Sequence, residues 1–172
     1  MNKLSSSAIT TTWLAILLIV IDQLTKYWAN TSLTLGEPMA ILPHLNLTLV
    51  YNYGAAFSFL SEVGGWQRWF FTVLALVVGT ALVIWLAKLP KRWTLEVVAI
   101  NLVLSGAIGN VIDRILAGRV TDFVDFYIGS WHYATFNVAD MGISIGAVLL
   151  IISEFWLKPR REKKAQSTEE SV

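Results

Sequence analysis

A chain of 172 residues has the length of one domain, and at 55% hydrophobic residues it is too apolar for an ordinary soluble fold, so its expected solvent is lipid. It contains no cysteine, which excludes a disulfide, a thiolate nucleophile and any cysteine-ligated zinc or iron–sulfur centre. The net charge of +1 hides a strong asymmetry along the chain, and eight Trp, eight Phe and five Tyr suit the two membrane–water interfaces, where amphipathic rings settle.

Four stretches, at approximately 12–29, 67–88, 95–115 and 138–157, are apolar enough to cross a hydrocarbon core of about 30 Å, which takes roughly 20 helical residues. The first resembles a cleavable signal segment, because Lys3 precedes an apolar run. Asp22 and Lys26 interrupt its second half and no A-x-A site follows, so it reads as a retained helix. Those two residues stand four apart, the spacing at which opposite charges meet on one helical face. Near mid-membrane they are expected to form a buried structural pair or a polar contact to another helix.

The stretch from Leu45 to Tyr53 alternates large apolar and mostly polar residues, the period of a strand, with Asn46, Thr48 and Asn52 on one face. Gly54-Ala55-Ala56 supplies a small-residue exit where backbone or substrate can approach closely. The region 36–66 is therefore read as strand plus lid, with 54–66 the lid that covers a site from bulk water. Trp66, Trp69, Phe70 and Phe71 read as an interfacial belt opening the second helix. On the third helix, Asn110, Asp113 and Arg114 form a polar cluster: either it faces the bundle interior, or it caps the helix end while Arg114 snorkels outward. Within the connection at about 116–136, residues 119–136 are expected to hold strand or surface-lying structure.

In the fourth helix Gly142-Ile143-Ser144-Ile145-Gly146 matches the G-x-S-x-G nucleophile elbow formally. An elbow needs a strand–turn–helix, so inside a transmembrane helix these glycines read as a small-xxx-small packing face. Ser105 and Gly109 read likewise as close helix packing. His44 and His132 have no metal-ligand spacing and read as satisfied loop histidines. Residues 1–159 thus form one domain, and the charged tail 160–172 is expected to be disordered.

Orientation follows from Lys and Arg in the short loops. Lys3, then Lys88, Lys91 and Arg92, then Lys158, Arg160, Arg161, Lys163 and Lys164 mark one side, which places both termini in the cytoplasm. The opposite side holds Lys26, Arg68, Arg114 and Arg119 among Glu37, Glu62, Asp113, Asp122, Asp125 and Asp140. At about 1.5 Å of rise per residue, Asp113 lies roughly 30 Å from Arg92 and Asp140 roughly 27 Å from Lys158. Asp113, Asp122 and Asp140 therefore reach the outer interface together.

Charges at such a boundary are costly, and a cluster of them points to function. Two close carboxylates cannot both ionise cheaply, so one keeps its proton and the other becomes a base. The ionised member can take a proton from water attacking a peptide carbonyl. The protonated member can hydrogen-bond the oxyanion and serve the leaving amine. Capping of helix ends, or pairing with Arg114 and Arg119, is the alternative for any single Asp. A transporter using Asp22, Asp113 and Asp140 as a cation path is a different class, disfavoured by the clustering at one face and by the absence of a repeat. A structural membrane subunit would need neither the carboxylates nor the strand.

At these residues the chain resembles the lipoprotein signal peptidases, or signal peptidase II, intramembrane aspartyl proteases. The resembling blocks are Asp22-Gln23-Leu24-Thr25-Lys26, Asn52 to Ser58, Gly106 to Arg114, Val120-Thr121-Asp122-Phe123 and Phe136-Asn137-Val138-Ala139-Asp140, in order along nearly the whole chain. The resemblance implies a membrane all-α fold with a small extracytoplasmic β element, in the bacterial inner membrane. It also implies an aspartyl endopeptidase that cuts prolipoproteins just before their diacylglyceryl-modified cysteine. Asp122 and Asp140 would be the catalytic pair, with Asn52, Gly54, Gly106, Asn110, Asp113, Arg114 and Asn137 around the substrate or supporting the site. Asp22 and Lys26 would remain structural. No metal or cofactor is implied, nor any nucleic-acid partner; the partners are lipidated substrate and phospholipid bilayer, the state is monomeric, and globomycin is the implied inhibitor. Asp125 is read as a solvated or pairing carboxylate outside the pair.

Overall fold

The computed structural model of the chain describes residues 7–54, 65–157 and 159. Helices α1 (Trp13–Ser32), α2 (Trp66–Lys88), α3 (Leu95–Ala117) and α4 (Val138–Ile152) are each in place, α1 preceded by a 3-10 turn at Ala8–Thr11 and α4 prolonged by a π-helical turn at Ser153–Leu157. Their ends follow local chemistry. The Thr94 side chain accepts from the Val97 N–H to start α3, and Gly118, at φ 75°, closes it by donating its N–H to the Arg114 carbonyl. At α4 the Asn137 side chain and the Asp140 carboxylate exchange backbone bonds in a capping box.

All four helical segments are long and apolar enough to span a membrane. Within their most apolar windows 67% of α3 is buried, against 22% of each of the other three, so α3 is the central helix. The other helices turn Ile16, Leu17 and Leu24, Val77 and Ile84, and Val148 and Ile151 outward, the arrangement expected where the solvent is lipid.

The closest helix packing is between α3 and α4, and glycine makes it. A Cβ at Gly146 would stand 2.7 Å from the Ala99 carbonyl oxygen, and one at Gly142 would stand 3.1 Å from that of Leu102. Gly142 and Gly146 are thus the packing face expected of them. Gly106 packs in the opposite sense, with no room for a Cβ against the Ala139 carbonyl.

Strands β1 (Pro38–Leu42), β2 (Leu45–Asn52), β3 (Val120–Ile128) and β4 (Trp131–His132) form one antiparallel sheet in that order. Strand structure was expected at 45–53, and strand or surface-lying structure across 119–136; β1 is exposed along its whole length and carries no alternation to mark it. The unbroken face expected for Asn46, Thr48 and Asn52 is corrected. The β2–β3 register shifts between Leu47 and Val50, so Asn46 pairs with Asp125, whereas Val50 pairs with Asp122. Asp122 and Asp125, three residues apart, point to opposite faces and receive different partners from β2.

The sheet is tied to the end of the bundle where α3 finishes and α4 begins, through Thr121 N–H to the Asp113 carboxylate (3.1 Å) and Phe136 N–H to the Val124 carbonyl (3.1 Å). At the other end Ser7 bridges Pro90, and its hydroxyl donates to the carbonyl of Ala87 (2.8 Å). The start of the described chain and the α2–α3 turn therefore share one end, and the clustered carboxylates occupy the other. The lid expected at 54–66 and the tail 160–172 fall mainly or wholly outside the described residues.

Candidate active site

Asn137 is the residue around which the site is built. It is fully buried at the N-cap of α4, and that position gives its two polar ends different tasks. Its side-chain oxygen accepts from the Asp140 N–H (2.9 Å), so its NH2 group is directed away from the helix and donates to Asp122 Oδ1 (2.6 Å). Its backbone N–H donates to Asp140 Oδ2 (3.3 Å). A single residue thereby holds both carboxylates at one place, although Asp122 comes from β3 and Asp140 from α4.

The remaining oxygens are held as deliberately. Asp122 Oδ2 accepts from Asn52 Nδ2 (3.1 Å), and Asn52 is oriented because its own Oδ1 accepts the Gly54 N–H (2.9 Å). Gly54 sits at φ 101°, and a Cβ there would stand 3.1 Å from Gln67 Cβ, so the left-handed backbone lets β2 end against the start of α2. Asp140 Oδ1 accepts from Asn110 Nδ2 (2.8 Å), which α3 presents from the opposite side.

Asp122 is 2% exposed. Burial, and then the charge of Asp140, push its carboxyl up from 3.8 to about 7, against the opposing effects of Asn52, Asn137 and Lys26. At neutral pH Asp122 can hold a proton beside the Asp140 carboxyl, an arrangement suited to combined acid and base chemistry on a bound carbonyl.

A second polar layer lies beneath. Lys26, 3% exposed, contacts Asp22 Oδ2 (2.8 Å), Asp113 Oδ2 (3.1 Å) and Asn110 Oδ1 (3.0 Å). Asp22 Oδ1 accepts the Ala139 N–H (2.9 Å), one of the free donors in the first turn of α4. Gly109 permits this approach, since a Cβ there would stand 2.6 Å from Asp22 Oδ2. The expected Asp22–Lys26 pair is present and larger than expected, for it ties α1 to both α3 and α4. Two members of this layer carried no assigned role in the sequence. Gln23 Nε2 donates to Asp113 Oδ1 (2.9 Å), and the Thr121 N–H donates to Asp113 Oδ2. Both lie beside recognisable motif residues, but only the packing of α1 on α3 shows whom they meet.

Asp122, Asp140, Asn52, Asn110 and Asn137 thus form one hydrogen-bonded set, with Gly54 adjoining it. Asp113 belongs to the layer beneath, in contact with Lys26 rather than exposed for a substrate. Gly106 supports the site by letting α3 meet α4 under Asp140. Arg114 is half-buried at the rim, its guanidinium 5.5 Å from the centre of the Phe71 ring and within electrostatic reach of Asp140, Asp122 and Asp113. It does not snorkel away from the cluster.

Asp125 is a separate centre. It is buried rather than solvated, and it pairs with His132 (2.8 Å) while accepting from Asn46 and Thr48 (3.2 Å each). Burial alone would raise its carboxyl, but His132 and the hydrogen bonds outweigh that and hold it below the ordinary value. His132 lies on β4, not in a loop, and is satisfied by this pair. Among the described residues no cluster of three or more His, Asp or Glu side chains is arranged to hold a metal ion.

The family model described as signal peptidase (SPase) II matches residues 14–156, which include every residue of this site. The chain belongs to the signal peptidase II family. It is a multi-pass membrane protein and, through that family, a peptidase. The lipoprotein signal peptidase of Hydrogenovibrio crunogenus is 94% identical over 172 residues and covers 100% of both chains. That of Acinetobacter baumannii is 49% identical over 154 residues, 90% of this chain and 88% of the relative. A solved structure described as a bacterial membrane enzyme superposes with a TM-score of 0.76 at 35% identity, covering 88% of this chain and 96% of its own. A second so described gives 0.74 at 36%, covering 86% and 89%. Both of those membrane enzymes share the fold described above.

Proposed function

We propose that this peptidase removes signal peptides from diacylglyceryl-modified prolipoproteins, cutting on the N-terminal side of the lipidated cysteine, with Asp122 and Asp140 as its catalytic pair. The observation that carries the reading is the bridge through Asn137, which brings two carboxylates from different elements into one hydrogen-bonded unit.

The surroundings favour a division of labour. Asp140 lies in the first turn of α4, where backbone N–H groups and the helix dipole stabilise an anion, and it serves as the base. Asp122, buried on the sheet and raised to about 7, carries the proton. Water held between them attacks the scissile carbonyl carbon and gives a proton to Asp140, while Asp122 gives its proton to the carbonyl oxygen. As the tetrahedral intermediate collapses, the C–N bond breaks and the proton on Asp140 passes to the leaving nitrogen. The hydroxyl then returns a proton to Asp122, and the pair is restored with one proton. Asn110, Asn52 and Asn137 fix the carboxylates throughout, and Arg114 at the rim is placed to contact the substrate backbone.

The basic loops assign both termini to the cytoplasm and the pair to the extracytoplasmic side of a bacterial inner membrane. Monomeric action, the lack of a metal or cofactor requirement, and inhibition by globomycin belong to the same proposal. The test is to incubate the purified enzyme in lipid with a diacylglyceryl-modified prolipoprotein and to map the products by mass spectrometry. Cleavage immediately before the modified cysteine, absent with a serine-substituted substrate and blocked by globomycin, is expected. Equal cleavage of the unlipidated substrate would contradict the substrate assignment.

A further inference from the structure

The Asn110 amide faces Asp140 in only one of its two nearly isosteric orientations, so something must select that orientation. Its oxygen lies 3.0 Å from Lys26 Nζ and 3.3 Å from Asn137 Nδ2, and its nitrogen lies 2.8 Å from Asp140 Oδ1. Turning the amide over would set its NH2 group against two donors and its oxygen against a carboxylate. The ammonium is the stronger determinant, because it carries charge, is buried, and has only donors to offer.

We infer that Lys26 is a positioning residue for the cleavage reaction: by donating to Asn110 it turns the amide so that its NH2 group holds Asp140 as the ionised base. This inference rests on the Asp122–Asp140 reading above.

The ammonium matches its three contacts, Asp22, Asp113 and Asn110, one proton to each. The two carboxylates are themselves anchored, Asp22 by the Ala139 N–H and Asp113 by Gln23 and the Thr121 N–H. Lys26 is therefore fixed from α1, α3, α4 and β3 together, and it passes that rigidity to Asn110. A salt bridge serving helix packing alone needs only the carboxylates; the third contact leads to the reacting group. The charged groups facing the pair are Asp22 and Lys26 from α1 and Asp113 and Arg114 from α3, with Asp140 on α4 facing Asp122 on β3. Lys26 is one of only two cations in that set, so its removal favours protonated carboxylates.

The experiment compares wild type, Lys26→Met and the double variant Lys26→Met/Asp113→Asn, each purified in lipid with its thermal transition recorded, for kcat and KM across pH. In folded Lys26→Met, kcat is expected to fall by about tenfold to a hundredfold with KM little changed, as for a misplaced catalytic group. Its rate profile is expected to move to higher pH. The double variant keeps the net charge of the layer, so its profile returns toward wild type while kcat stays low. A lowered melting temperature with wild-type kcat and pH profile would show a purely structural role and overturn the inference. If Lys26→Met is not recovered folded, wild-type kcat in the double variant does the same. Cleavage surviving in Asp122→Asn or Asp140→Asn would instead defeat the pair assignment, a distinct result.

Discussion

Asp122 and Asp125 show how neighbouring carboxylates on one strand acquire opposite behaviour. Asp122 is buried beside Asp140 and is raised to about 7 from 3.8. The folded protein therefore keeps a proton that the unfolded chain has lost. The stability linked to this group is full below about pH 4, declines between about 4 and 7, and is level above that. Asp122→Asn removes this dependence, so the wild-type melting temperature should fall relative to that of the variant over that interval; parallel curves would contradict the assigned cause. Cleavage by wild type should likewise decline above about pH 7 as the Asp122 proton is lost. Asp125, held low by His132 and the β2 side chains, contributes stability above the ordinary carboxylate value that is lost as pH falls through its lowered one. Asp125→Asn should lower stability and retain cleavage, measured on the folded fraction. Its loss of cleavage together with activity in Asp122→Asn would transfer the catalytic role.

At the scale of elements, the four helices were legible because a lipid solvent demands long apolar runs. Three were placed within three residues of their observed start and end, and the fourth, expected over 138–157, is α-helical to Ile152 and π-helical from Ser153 to Leu157. The sheet was less legible. The alternation of 45–53 announced β2, but the register shift between Leu47 and Val50 has no local signature, and it alone decides that Asn52 serves Asp122 while Asn46 serves Asp125. The α3–α4 contact was readable from Gly142 and Gly146, whereas the tighter approach at Gly106 depends on where Ala139 falls in the partner helix. Gly146→Ala should cost about 1–3 kcal/mol by overpacking, measured by denaturation in detergent, since its Cβ would meet both the Ala99 carbonyl and Val103. Asn137→Ala should cost about 1 kcal/mol as a lost cap but eliminate most activity, because the same side chain holds Asp122. A variant with near-normal kcat would separate the cap from the site.

Across the whole molecule, one polar column runs from the sheet through Asp122 and Asp140 to Lys26 and Asp22, joining α1, α3, α4 and β3 around a central helix whose other buried positions are mostly apolar or small. Its motif residues were visible in the sequence. The roles of Gln23 and Thr121 were not, because which side chain meets Asp113 is settled by how α1 and β3 pack on α3. Asp22→Ala leaves Lys26 short of one partner and α4 short of one N-terminal acceptor. It should destabilise the fold by about 3–5 kcal/mol, the usual cost of breaking a buried pair, seen as reduced folded yield and melting temperature. Normal stability with lost activity would instead give Asp22 a direct part in the reaction.

The most direct measurement is cleavage of a diacylglyceryl-modified prolipoprotein by purified wild type, Asp122→Asn and Asp140→Asn, with the folding of each checked independently. Wild type is expected to cut before the lipidated cysteine and both folded variants to release no signal peptide. Cleavage by either folded variant at a rate near wild type would place the catalytic carboxylates elsewhere and contradict the mechanism.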